Sequence, residues 1–110
     1  MHLRYLETSV PGLRWMRAYY KKNPQLDRAK ALEALRKTEQ LLTEFERAGH
    51  PFQNFESVLE IPIGGTSFSI LYTIARETVW IIDIRDQRGL RSAEALRLYT
   101  RELRRKHGIG

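Results

Sequence analysis

The stretch Ile63-Gly64-Gly65-Thr66-Ser67-Phe68-Ser69-Ile70-Leu71-Tyr72-Thr73-Ile74-Ala75-Arg76-Glu77-Thr78-Val79-Trp80-Ile81-Ile82-Asp83-Ile84-Arg85 decides how the chain is read. It is rich in β-branched and aromatic residues, the composition of strands. Gly64-Gly65 is a hairpin-turn signal, because glycine reaches the positive φ that tight turns require. Ala75-Arg76-Glu77 marks a second, shorter turn. Val79 and Ile81 alternate with Trp80, Ile82 and Ile84, so the last strand is apolar on both sides and is expected at the centre of a covered sheet. Together with residues 57–63, the pattern predicts three strands, 57–63, 66–75 and 77–85, in an antiparallel meander.

Upstream the period changes from two to between three and four. Residues 2–8 are β-compatible and form a predicted first strand. Ser9 is a candidate cap for a helix over residues 11–22, with Leu13, Met16 and Tyr20 on one face. Asn23-Pro24 reads as an N-cap followed by proline at the first helical position. A second helix is then expected to run to about residue 48. Leu32, Leu35, Leu42 and Phe45 form its apolar stripe, filled by Thr38 and Leu41, and Gly49 is its expected stop. Beyond the meander, Ser92 is placed to cap a last helix over residues 93–106, with Leu96, Tyr99 and Leu103 on one face. The predicted order is β-α-α-β-β-β-α. This is an α+β fold in which an N-terminal strand and an α-helical hairpin pack on a twisted antiparallel β-sheet, with a C-terminal helix. A single domain over residues 1–110 is expected at this length.

Composition narrows the function classes. The 110 residues contain no cysteine, which excludes disulfides, thiolate metal sites and a cysteine nucleophile. The formal charge is +6 and the isoelectric point about 10.0, a balance that favours acidic partners such as nucleic acid or an acidic protein. No apolar run approaches the roughly 20 residues a membrane-spanning helix needs, and the N-terminus lacks a signal-peptide pattern, so a cytoplasmic protein without a membrane partner is expected. His2, His50 and His107 are far apart and show no metal-ligand spacing, and Gly64-Gly65 lacks the lysine of a phosphate-cradling loop. No metal or cofactor is expected.

The charged and aromatic residues supply the candidate site. Arginines concentrate from Arg85 onward, with Arg88, Arg91, Arg97, Arg101, Arg104 and Arg105 following. Arginine presents a rigid fork of donors suited to phosphate or carboxylate. On the helical part the alternative is a solvated face whose cations complement the helix dipole. Trp15, Tyr19 and Tyr20 interleave with Arg14, Arg17, Lys21 and Lys22, a mixture that serves stacking or protein hot spots as well as ordinary packing. Arg85, Arg88, Arg91, Trp15, Tyr19 and Arg101 are therefore the candidate binding residues. Arg85, Arg88 and Tyr99 are the weaker catalytic candidates, with Tyr99 also readable as core beside Leu96 and Leu103. Asp83 needs a partner if buried, and Arg85, two residues on and expected on the same face, is the nearest candidate.

The residues of 63–74, followed by Val79 to Arg88, resemble the RelE/ParE toxin family of type II toxin–antitoxin systems. In that family a glycine turn leads into an aromatic, an arginine, two apolar residues and a tyrosine, and the next strand ends in a basic cluster. Here the arginine position falls on Ser69, and the histidine often found in the basic cluster falls on Asp86. Both departures weaken charge stabilisation at a scissile phosphate. The resemblance therefore leans towards the ParE-like branch: a bacterial, plasmid-stabilising toxin, without catalysis of its own, that inhibits DNA gyrase and is held in a hetero-oligomer by a cognate ParD-like antitoxin. The alternatives are a RelE-like ribosome-dependent mRNA endoribonuclease and, from another class, a non-toxic basic nucleic-acid-binding module.

Overall fold

The computed structural model describes residues 1–53, 55 and 57–89. Strand β1 (His2–Tyr5) leads through a 3-10 turn at Glu7–Ser9 into helix α1 (Val10–Lys22). Helix α2 (Arg28–Glu44) follows, then strands β2 (His50–Pro51), β3 (Leu59–Pro62), β4 (Phe68–Ala75) and β5 (Thr78–Asp86). The fold is α+β. The helix expected over residues 93–106 lies outside the described residues.

The sheet order is β1-β5-β4-β3-β2. The meander β3-β4-β5 is antiparallel as predicted, but β1 pairs with β5 in parallel, Leu3 opposite Val79 and Tyr5 opposite Ile81. The sheet is therefore mixed rather than antiparallel. The helical hairpin carries the chain across the sheet face and returns it so that β1 and β5 run the same way, and no hydropathy pattern specifies the partner of an edge strand. The extra strand β2 is two residues long and pairs with Leu59 and Glu60.

Helix α2 begins four residues later than expected. Asp27 is its N-cap, its carboxylate accepting from the Lys30 N–H at 3.0 Å. Asn23-Pro24 instead turns the chain: the Leu26 N–H donates to Asn23 O at 2.9 Å, and Asn23 Nδ2 donates back to Tyr19 O at 2.7 Å, at the end of α1. Proline at the second position of a β-turn satisfies the same sequence signal as proline at a helix start. Gly49 does not stop α2, which ends at Glu44. A Cβ at Gly49 would lie 2.7 Å from both Glu60 O and the Tyr72 hydroxyl, so its role is close approach. The Gly49 N–H donates to that hydroxyl at 2.9 Å, and the hydroxyl donates to Glu46 O at 2.8 Å.

Two cores lie on the two sheet faces. Met16, Tyr20, Ala31 and Leu42 from the helices cover Phe68, Ile70, Tyr72, Val79, Ile81 and Ile84. On the other face Leu6, Phe52, Val58, Leu71, Trp80 and Ile82 pack together. The buried stripe of α2 is Ala31, Thr38 and Leu42, whereas Leu32, Leu41 and Phe45, expected in it, are exposed. Their spacing suits a wide apolar face, and the sheet covers only its middle.

A β-bulge sets the faces of β5. Tyr72 pairs with Ile81 but Leu71 pairs with Asp83, so Ile82 is the extra residue. After it the alternation inverts, and Ile81 and Ile84 share the helix-facing core. The Thr8 hydroxyl donates to the Ile82 carbonyl at 2.7 Å, and the Leu6 N–H to Ile81 O at 2.9 Å. Gly12, in the first turn of α1, presses on the strand just beyond: a Cβ there would sit 2.3 Å from Asp83 Oδ1 and 2.6 Å from Ile84 O.

Candidate functional site

Arg85 and Asp86, adjacent on β5, point to opposite faces of the sheet, the bulge setting which face each takes, and each anchors a polar cluster. On the helix side, Asp86 is 1% exposed and accepts three kinds of donor. Arg88 grips it from two nitrogens, Nε to Oδ1 at 2.9 Å and Nη2 to Oδ2 at 2.8 Å. The Arg88 backbone N–H reaches Oδ1 at 3.0 Å, and Trp15 Nε1 donates to Oδ2 at 2.8 Å. The Arg88 hydrogen bonds, assisted by Trp15 and opposed by burial, lower the Asp86 carboxyl to about 2. The same pairing raises the Arg88 guanidinium.

Arg88 also lies over aromatic rings, 3.9 Å from the centroid of Tyr19 and 5.6 Å from that of Phe68. Tyr19 meets Tyr20 and Phe68 edge-on at 5.2 and 5.6 Å. Trp15 and Arg88 thus converge on one carboxylate, Tyr19 lies under the Arg88 guanidinium, and the three predicted residues form a partly exposed aromatic–cationic surface. Such a surface presents contact area at little entropic cost. Trp15 remains 38% exposed with its N–H already satisfied, leaving the indole face for a partner.

On the opposite face Arg85 reaches Glu60 Oε2 at 2.9 Å, and Ser69 donates to the same oxygen at 2.5 Å. His50 Nε2 stands 3.7 Å from the other oxygen, Oε1. The Arg85 guanidinium also lies 5.4 Å from the Phe52 centroid. The partner expected for Arg85, Asp83, instead accepts from the Ile84 N–H at 2.9 Å. Asp83 and Arg85 do share a face beyond the bulge, opposite Leu71 and Ser69, but the Arg85 side chain turns to Glu60.

Arg85 and Arg88 therefore do not form one basic patch. Glu60 and His50 were missed in the sequence, and the available signal was Glu60 itself, an acid inside the apolar run Leu59-Glu60-Ile61. Asp86 is the hub of the other cluster, with Trp15 71 positions away in sequence. Arg91, Tyr99 and Arg101 lie outside the described residues. Among the described residues no group of three or more metal-ligating side chains is placed to hold an ion, and no helix is long and apolar enough to cross a membrane.

Comparison with curated proteins finds no match to the chain. The sequence profile of the family described as ParE toxin of type II toxin-antitoxin system, parDE, matches residues 12–91, which take in α1 from Gly12 onward, α2, the meander and both polar clusters. With its helical hairpin laid over a glycine-turned meander, and most of its length matched, the chain belongs to the ParE toxin family of type II toxin–antitoxin systems.

Proposed function

We propose that the protein is a toxin that acts by binding rather than by cleavage, inhibiting DNA gyrase in the cytoplasm until an antitoxin covers it. The observation that carries this reading is the commitment of both strand-end guanidiniums to carboxylates, Arg85 to Glu60 and Arg88 to Asp86. A cation that must stabilise a developing phosphate charge acts best when it is not already neutralised. Ser69, at the arginine position of the resembled nucleases, is fully buried and bonded to Glu60. The Trp15–Tyr19–Arg88 surface is suited to a protein partner, with acidic residues of the antitoxin meeting the arginine's remaining donors.

A second reading, a ribosome-dependent endoribonuclease, draws support from one feature. Glu60 Oε1 lies 3.7 Å from His50 Nε2 and Glu60 Oε2 lies 2.9 Å from Arg85, so a carboxylate and an imidazole, the residue types of acid–base catalysis, sit together beside a guanidinium.

Purified protein added to a gyrase supercoiling assay and, separately, to programmed ribosomes decides between them. The binding reading expects loss of supercoiling and intact message. Expression without antitoxin is expected to filament cells and to leave translation running at first. Message cleavage that disappears in His50→Ala or Tyr99→Phe would make the chain an enzyme.

A further inference from the structure

Beside the Arg88 cluster, a solvent-open cavity of about 550 Å³ separates the β3–β4 turn from the start of α2. Its size falls within the range of small-molecule sites, about 300–1,000 Å³. Three chemistries line it. Tyr19 and Tyr20 form an aromatic wall, and Arg88 over Tyr19 holds that ring in place. Lys30 supplies a cation, next to the backbone of the Gly64-Gly65 turn, where a Cβ at either glycine would meet nothing within 4 Å. Asp27 supplies a carboxylate, one oxygen of which accepts from the Lys30 N–H.

A further observation points to an occupant. Among the described residues, Ser67 Oγ is a buried side-chain oxygen with no hydrogen-bond partner, and Ser67 lines this cavity. A buried hydroxyl left unpaired is costly, and a turn about χ1 would offer it to a ligand. Thr66, its neighbour, spends its own hydroxyl on Ile63 O at 2.8 Å and accepts from the Phe68 N–H at 3.1 Å.

We propose that this cavity binds a 5′-phosphorylated nucleoside, with the base against Tyr19 and Tyr20, the ribose hydroxyls donating to Asp27, and the phosphate held by Lys30 and the glycine turn. Ser67 provides a donor or acceptor to the base edge. Each group meets its chemical complement: ring to ring, diol to carboxylate, phosphate to ammonium and open backbone. The ligand is either a free nucleotide or the 5′ end of a single strand, since both carry the same three groups. The site stands independently of the gyrase reading.

Calorimetric titration of the full chain with AMP, adenosine and a 5′-phosphorylated adenosine tetranucleotide tests this. AMP is expected to saturate with a Kd below about 1 mM. Adenosine is expected to bind about tenfold more weakly, the loss of one charge-assisted contact. Lys30→Ala should bring AMP down to the adenosine level. Gly64→Leu should abolish binding while leaving the circular dichroism spectrum and melting temperature unchanged, because a Cβ at Gly64 meets no atom within 4 Å and Gly64 lines the cavity. A tetranucleotide tighter than AMP identifies a strand end as the ligand, and the reverse order identifies a free nucleotide. Absence of saturable binding by all three, adenosine as tight as AMP, or binding undiminished in a folded Gly64→Leu protein would overturn the proposal.

Discussion

Ser69 and Arg85 stand opposite each other across β4 and β5 and share a single oxygen of Glu60, at 2.5 and 2.9 Å. The guanidinium that the resembled nucleases carry on one strand is met here by a guanidinium from the neighbouring strand, already paired. Ser69→Arg would bring a second cation and a long side chain into a fully buried position against that pair. The expected result is destabilisation by about 1–3 kcal/mol from overpacking alone, with no gain of message cleavage. Urea unfolding and a programmed-ribosome assay measure the two halves, and cleavage in this variant would contradict the assignment.

Asp86 gives the acid limb of stability. Its carboxyl titrates at about 2 in the folded protein against an ordinary 3.8, so the folded state favours the ionised form. The resulting stabilisation is present above about pH 4–5 and is lost as the pH falls through the folded value. The shift corresponds to about 2 kcal/mol. Unfolding free energies measured between pH 7 and pH 2 should show this loss. In Asp86→Asn that part of the pH dependence should flatten, and the variant should be less stable at neutral pH because Arg88 and Trp15 lose their charged acceptor.

Two glycines are fixed by close approach rather than by turn geometry. Gly12→Ala would place a methyl 2.3 Å from Asp83 Oδ1 and 2.6 Å from the Ile84 carbonyl, and Gly49→Ala would place one 2.7 Å from Glu60 O. Each is expected to cost about 1–3 kcal/mol, as overpacking does. Gly64→Ala, with open space around it, is the control and should be near neutral. Melting temperatures of the three variants test the ranking.

The β4–β5 turn points the other way. Arg76 and Glu77 both adopt positive φ, 52° and 58°, in a two-residue connection between the paired residues Ala75 and Thr78. That is type I′ geometry, which favours glycine at the second position. Glu77→Gly should therefore stabilise the protein by about 1 kcal/mol, a rise in Tm of several degrees for a chain of this size. A lower Tm would show that Glu77 contributes contacts worth more than its backbone strain.

Much of the architecture was legible before any tertiary contact was known. The α1 face of Met16 and Tyr20, the glycine turn at 64–65 and the doubly apolar strand around Ile81 and Ile82 are local patterns. Hydrophobic period and turn chemistry depend on neighbours in sequence, so they can be read there. Trp15, Tyr19 and Arg88 were singled out on residue type, and the fold brings them together. Asn23-Pro24 and Gly49 carried signals that two different local structures use equally well, and only packing chose between them.

Which residues meet in the two polar clusters was decided by the tertiary structure. Strict alternation along β5 from Val79 and Ile81 would put Asp83 and Arg85 on the helix-facing side and Asp86 on the other. One extra residue, Ile82, inserted opposite the Leu71–Tyr72 step, inverts the alternation, sending Arg85 to Glu60 and Asp86 to Trp15. The parallel pairing of β1 on β5 is of the same kind. Sequence determines what each segment can become, because backbone propensity and side-chain period are short-range. Register, bulges and the partners of charged groups are settled by contacts between segments far apart in the chain, where one residue's offset exchanges the two faces of a strand.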